Sequence, residues 1–126
     1  MKTAWALLVA AGCLSAAPKP EECRALNLHG QRDKARACFI ELTQSPSAFL
    51  RAEGLYGLRR FKEAHDQFRQ AHSQDSKNAD LKVRWGRLLI EPFNKNRKDG
   101  ADLFQEALEI NEFHAGAFEI IAETVD

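Results

Sequence analysis

Phe61-Lys62-Glu63-Ala64-His65-Asp66-Gln67-Phe68-Arg69-Gln70-Ala71 sets Phe61, Ala64, Phe68 and Ala71 at steps of three and four, so the four share one helix face. The spacing returns as Gly100, Phe104 and Ala107, extended by Leu108, and in weaker form earlier as Ala35, Phe39 and Leu42. Phe68 and Phe104 are 36 residues apart, as are Ala71 and Ala107, while the earlier copy precedes its successor by 29. Self-similarity at such a period marks stacked repeats, in which no unit can bury its apolar face alone.

Working outward, each copy is the second helix of a pair. First helices are predicted over 21–28, 47–58, 78–90 and 114–126, and second helices over 31–43, 61–73 and 99–110. His29-Gly30 and Leu58-Arg59-Arg60 supply tight turns within pairs. Ser45-Pro46 is expected to open a helix with proline in its first turn, and Asp75-Ser76 to cap the third pair with short side-chain oxygens. Pro92 ends a helix, because it lacks the N–H and restricts the residue before it, which leaves 91–96 as a longer loop. The expected fold class is all-α, an α-solenoid of antiparallel helix pairs. The alternative is a helical bundle without repeats, since amphipathic stripes are common to both.

The chain has 126 residues, enough for one modest domain. Residues 1–17 form a leader: Lys2, the apolar run Ala4 to Leu14, then small residues before Pro18. The run is too short to span a bilayer, so export is the expectation and a transmembrane anchor is not. Ala10-Ala11-Gly12-Cys13 resembles a bacterial lipobox, although Ala10 stands where leucine is usual. Either Cys13 is lipidated, or the leader is cut near Ala16 or Ala17 and Cys13 is discarded; both outcomes place residues 18–126 outside the cytoplasm. Lys plus Arg equals Asp plus Glu at 18 each, so no broad field favours nucleic acid or an anionic membrane.

Setting Cys13 aside leaves Cys23 and Cys38, an even pair at an oxidising address and therefore a disulfide candidate. They lie seven residues before and eight after Gly30, which sets them at one height in an antiparallel pair turning there. The alternative is two small buried thiols.

No catalytic constellation stands out: there is no nucleophile elbow, phosphate-binding glycine loop or His-Glu-x-x-His motif, and neither a cofactor nor a metal is expected. His65 and His72 are seven apart on one helix with only Asp75 near, and are read as solvated or edge-packed rather than ligating. Lys62, Glu63, Asp66, Arg69, Glu106 and Glu109 are read as solvated helix faces, and Arg59-Arg60 as a turn.

These residues together resemble the tetratricopeptide repeat family, whose units of about 34 residues alternate small and large apolar positions. Phe61 through Ala71 looks like its second-helix signature, Arg84-Trp85-Gly86 with Leu89 like a first helix, and Ala101 through Ile110 like the next second helix. The likeness covers about three units plus an unpaired last helix, with Ser76 and Glu112 where the family favours proline. What the resemblance implies is a concave groove lined by first helices, with Phe49, Glu53 and Tyr56 in one unit and Val83, Arg87 and Ile90 in the next. The competing reading is that Phe49 and Tyr56 only finish the packing between pairs. Some members of the family hold a C-terminal carboxylate with Lys and Asn; Glu53 at one such place argues against that version.

The functional expectation is a non-enzymatic scaffold of the bacterial cell envelope, periplasmic or held by a lipid anchor, binding a peptide or partner protein. The alternative is the repeat region of a longer exported enzyme such as a metallopeptidase. Phe118, Ile121 and Ala122 share a face of the last predicted helix, which suggests self-association through that helix as a third reading.

Overall fold

Residues 18–91 and 97–111, with His114, are described by a computed structural model. Among them the chain forms six helices and no strand: α1 (Pro20–Leu28), α2 (Arg32–Leu42), α3 (Ala48–Gly57), α4 (Phe61–Gln74), α5 (Ala79–Ile90) and α6 (Arg97–Ile110). The protein is all-α. The leader at 1–17 with Cys13, the loop at 92–96 and the predicted last helix beyond His114 lie outside the described residues. No helix among the described residues is long and apolar enough to cross a membrane.

Local chemistry sets the helix starts. Pro20 opens α1 at a position whose N–H would lack an intrahelical partner anyway, and Glu21 and Glu22 lie at its positive end. Ser47 caps α3 by accepting from the Leu50 N–H, and Asn78 caps α5 by accepting from the Leu81 N–H at 3.1 Å. Two expectations are corrected here. Pro46 precedes the cap of α3 instead of sitting in its first turn, and the cap of α5 is Asn78, not Asp75 or Ser76. Asp75 ends α4, where its carboxylate accepts from the Asn78 side chain.

The turns within the first two pairs repeat one hydrogen-bond pattern. Gln31 N–H donates to Leu26 O and Gly30 N–H to Asn27 O; 29 residues later Arg60 N–H donates to Leu55 O and Arg59 N–H to Tyr56 O. This closure needs a left-handed residue, supplied by Gly30 (φ 76°) in one turn and by Arg59 (φ 63°) in the other.

Consecutive helices pack on each other, and α1 also touches α3. The buried side chains fall into three clusters in chain order. Cys23, Ala35, Phe39 and Leu42 join α1 to α2; the largest cluster, around Phe68, joins α3 and α4 to Leu81 and Leu88 of α5; Val83, Phe104 and Ala107 join α5 to α6. The stripe Ala64, Phe68 and Ala71 is buried along its length. Close approach at glycine sets the spacing. A Cβ on Gly54 would meet the Phe39 carbonyl oxygen at 2.6 Å and Leu42 Cβ at 2.9 Å; one on Gly86 would meet the Phe104 ring at 2.8 Å.

Cys23 and Cys38 are joined as a disulfide between α1 and α2, with their Cα atoms 5.4 Å apart.

Two outcomes follow for stability. Gly54→Ala is expected to cost about 1–3 kcal/mol, because its nearest neighbour is backbone that cannot rotate away; thermal unfolding measures it, against Gly30→Asn as a mild control. Reducing the bond that closes the 15-residue span between Cys23 and Cys38 is expected to cost about 3 kcal/mol on the chain-entropy argument. Urea titrations with and without a phosphine reductant read that difference as a lower midpoint.

Candidate functional site

Among the described residues Glu53 is the buried carboxylate: it sits on α3 with 3% of its surface exposed. Arg24 of α1 donates through Nη1 to Glu53 Oε2 at 2.6 Å, and Arg84 of α5 donates through Nε to Oε1 at 2.8 Å. Each carboxylate oxygen thus has its own guanidinium, and the bridge crosses three first helices. Burial works against the charge on Arg84, but the Glu53 carboxylate, through charge and hydrogen bond, with Tyr56 and Glu91 adding to it, holds that guanidinium above its ordinary range.

The bridge separates two clefts. The larger, about 620 Å³, includes Phe39, Tyr56, Phe61 and Glu91 with Arg24 and Arg84 in its walls. The smaller, about 330 Å³, is walled by Glu21, Phe49, Asp80, Val83 and His114 on the other side of the same two arginines. In the larger cleft the Tyr56 hydroxyl donates to Glu91 Oε2 at 3.0 Å, and Arg87 donates to Glu91 Oε1 at 2.9 Å. Burial of the ring and the adjacent Glu91 carboxylate push the Tyr56 phenol well above its usual range, so it stays protonated as the donor. Arg84 lies over the Tyr56 ring at 5.1 Å.

Of the six residues expected in the groove, Tyr56 lines the larger cleft, Phe49 and Val83 the smaller, and Glu53 both. Phe49 and Tyr56 also pack on Phe68, with ring centroids 6.2 and 6.4 Å away, so they serve core and cleft together. Val83 is 4% exposed and belongs to the cluster around Phe104. Arg87 is joined to the larger cleft through Glu91, and Ile90 packs in the α5–α6 cluster, its side chain close against Gly100; neither lines either cleft. Sequence reasoning missed Arg24 and Arg84. The available signal was their spacing, 29 residues before and 31 after Glu53, close to the repeat period and opposite in charge.

A second polar cluster lies where α4, α5 and α6 meet. The Trp85 indole donates to His65 Nδ1 at 2.9 Å, and the rings of His65 and His72 flank the indole at 5.7 and 5.4 Å. Lys82, 5% exposed, donates to His72 Nε2 at 2.9 Å and to Glu106 at 2.7 Å. The expectation of a simply solvated Glu106 is corrected: it holds a buried ammonium. Burial, aided by Arg69 for His65 and by Lys82 for His72, lowers both imidazole pKa values below 6.5. Among the described residues no group of three or more His, Cys, Asp or Glu is placed to hold a metal.

No protein-family model, curated protein or solved structure matches the chain.

Breaking the bridge on one side strands charge. Glu53→Gln is expected to destabilise the protein by about 1–3 kcal/mol, since two partly exposed guanidiniums lose the buried carboxylate they share; Glu63→Gln, on the exposed face of α4, is expected to change stability by under about 0.5 kcal/mol. Chemical denaturation of both variants measures the contrast. For the histidine cluster the unfolded chain, titrating near 6.5, takes up protons before the folded one does. Stability is therefore present above that pH and lost as pH falls below it and through the lowered folded values. Melting temperatures at about pH 8 and about pH 5 measure the loss, which the double variant His65→Gln, His72→Gln is expected to reduce.

Proposed function

We propose that this chain is an α-solenoid of the tetratricopeptide type that acts as a non-enzymatic interaction scaffold of the bacterial cell envelope. Its partner is a peptide or a segment of another protein, laid along the face made by α1, α3 and α5. The observation that carries this reading is the Arg24–Glu53–Arg84 bridge. One residue from each first helix converges on a single carboxylate, so the three helices present one continuous face with a cleft on either side.

Further support comes from the large-against-small contacts at Gly54 and Gly86 and from the three clusters in chain order, which suit pairs stacked successively. A cross-link between α1 and α2 suits an oxidising compartment. Half-buried aromatic side chains beside charges, as at Phe49 and Tyr56, suit an extended segment whose side chains alternate between apolar and polar pockets.

Position-dependent cross-linking tests the reading. A photo-reactive residue at Glu21 or Asn27, both exposed at the clefts, is expected to capture a defined envelope protein. The same group at Lys62 or Gln70, exposed on α4, is expected not to. Equal capture from both faces, or capture from α4 alone, removes the groove.

A further inference from the structure

Arg59 occupies a place that its own backbone disfavours. At φ 63° it is the non-glycine residue with positive φ among those described, in a turn whose counterpart 29 residues earlier uses Gly30 with the same hydrogen bonds. A left-handed conformation costs a side-chain-bearing residue stability that glycine would not lose. The turn alone calls for glycine, and the arginine side chain is kept there nonetheless.

Its surroundings supply a reason. The exposed Arg59 guanidinium lies over the Phe61 ring at 5.4 Å and borders both the larger cleft and an adjoining one of about 640 Å³, where Arg32 and Arg36 with Arg59 outnumber the one carboxylate in its lining, Asp33. No carboxylate among the described residues pairs with Arg59. The carboxylates of the larger cleft are engaged: Glu53 accepts from Arg24 and Arg84, and Glu91 from Tyr56 and Arg87. Arg84, which holds Glu53 through Nε, lines the same cleft. An incoming anion would meet guanidiniums whose own acids are already satisfied, between aromatic walls.

We infer that the larger cleft takes an acidic side chain of an extended peptide, with an apolar neighbour against Tyr56 and Phe61, and that Arg59 is the specificity residue which reads that acid. This rests on the groove proposed above and names its ligand class. A peptide is favoured over nucleic acid because the chain's charges balance at 18 of each sign, so no broad positive field would hold a phosphate backbone.

The test uses the oxidised protein and short synthetic peptides, amidated at the C-terminus, that alternate Glu with Phe and Ser, alongside matched Gln and Lys versions. Fluorescence anisotropy is expected to give binding for the Glu peptide, weakened about tenfold by Arg59→Gly and largely kept by Arg59→Lys. The same Arg59→Gly variant is expected to melt at an unchanged or higher temperature, because the turn loses its strain. A lower melting temperature with unchanged affinity would make Arg59 a turn residue only and overturn the inference. Should Arg59→Gly fail to fold, Arg36→Gln, exposed on α2, must weaken the Glu peptide for the inference to stand. Equal binding of the Glu, Gln and Lys peptides overturns the acidic preference but leaves the groove. Binding of none of them removes the groove itself, and tighter binding of single-stranded RNA than of the Glu peptide overturns a peptide as the occupant.

Discussion

A helix can settle closely on its neighbour only where it carries no side chain at the crossing, and the whole arrangement depends on that constraint at Gly54 and Gly86. At Gly54 helix α3 settles against the Phe39 carbonyl and the Leu42 side chain of α2. At Gly86 helix α5 settles on the Phe104 ring of α6. Phe39 and Phe104 then fill the space that each close approach leaves beside it. Glu53 is the residue next to Gly54, so the contact that seats α3 also draws this carboxylate inward, where only paired guanidiniums make it tolerable.

Much of the helical architecture was legible because it is written in periodicity. Phe61, Ala64, Phe68 and Ala71 share a face at the sequence level, and the same residues are packed or half-packed in the structure. The turn at Gly30 was equally plain, since glycine marks a left-handed position. Helix starts were less so: Asp75, Ser76 and Asn78 all carry capping oxygens, and only the backbone path decides that Asn78 reaches the Leu81 N–H. The site was the least legible part. Phe49, Glu53 and Tyr56 follow from the repeat register, but their meaning depends on residues about one period away in each direction. Periodicity of apolar residues says nothing about which charges meet. Val83 shows that one position can serve twice, since it borders the smaller cleft and packs with Phe104 and Ala107 as well.

The two polar clusters use burial differently. Around Glu53 a negative charge is shared by two cations that remain partly exposed, so the group is anchored at its centre and hydrated at its edges. Around Lys82 a positive charge is buried between a half-exposed carboxylate and a neutral imidazole. Neither arrangement contributes much net stability over a well-packed apolar alternative. Each instead penalises a helix that slides out of register, since a one-residue slip would leave a charge in the interior with no partner. Polar contacts of this kind complement the apolar ones, which fix distance but tolerate sliding.

The link from Cys23 to Cys38 also bears on how Arg24 finds Glu53. Helix α1 has nine residues, a length at which an isolated peptide in water is mostly unwound. Without a tether, a guanidinium on such a segment would meet the carboxylate only in the fraction of time when the segment is both coiled and docked. A covalent tie at the neighbouring residue raises the effective concentration of that guanidinium beside its acceptor. Part of the electrostatics of the face made by α1, α3 and α5 is therefore set in advance by sulfur chemistry, and a reducing environment would loosen that face before it unfolded the remaining helices.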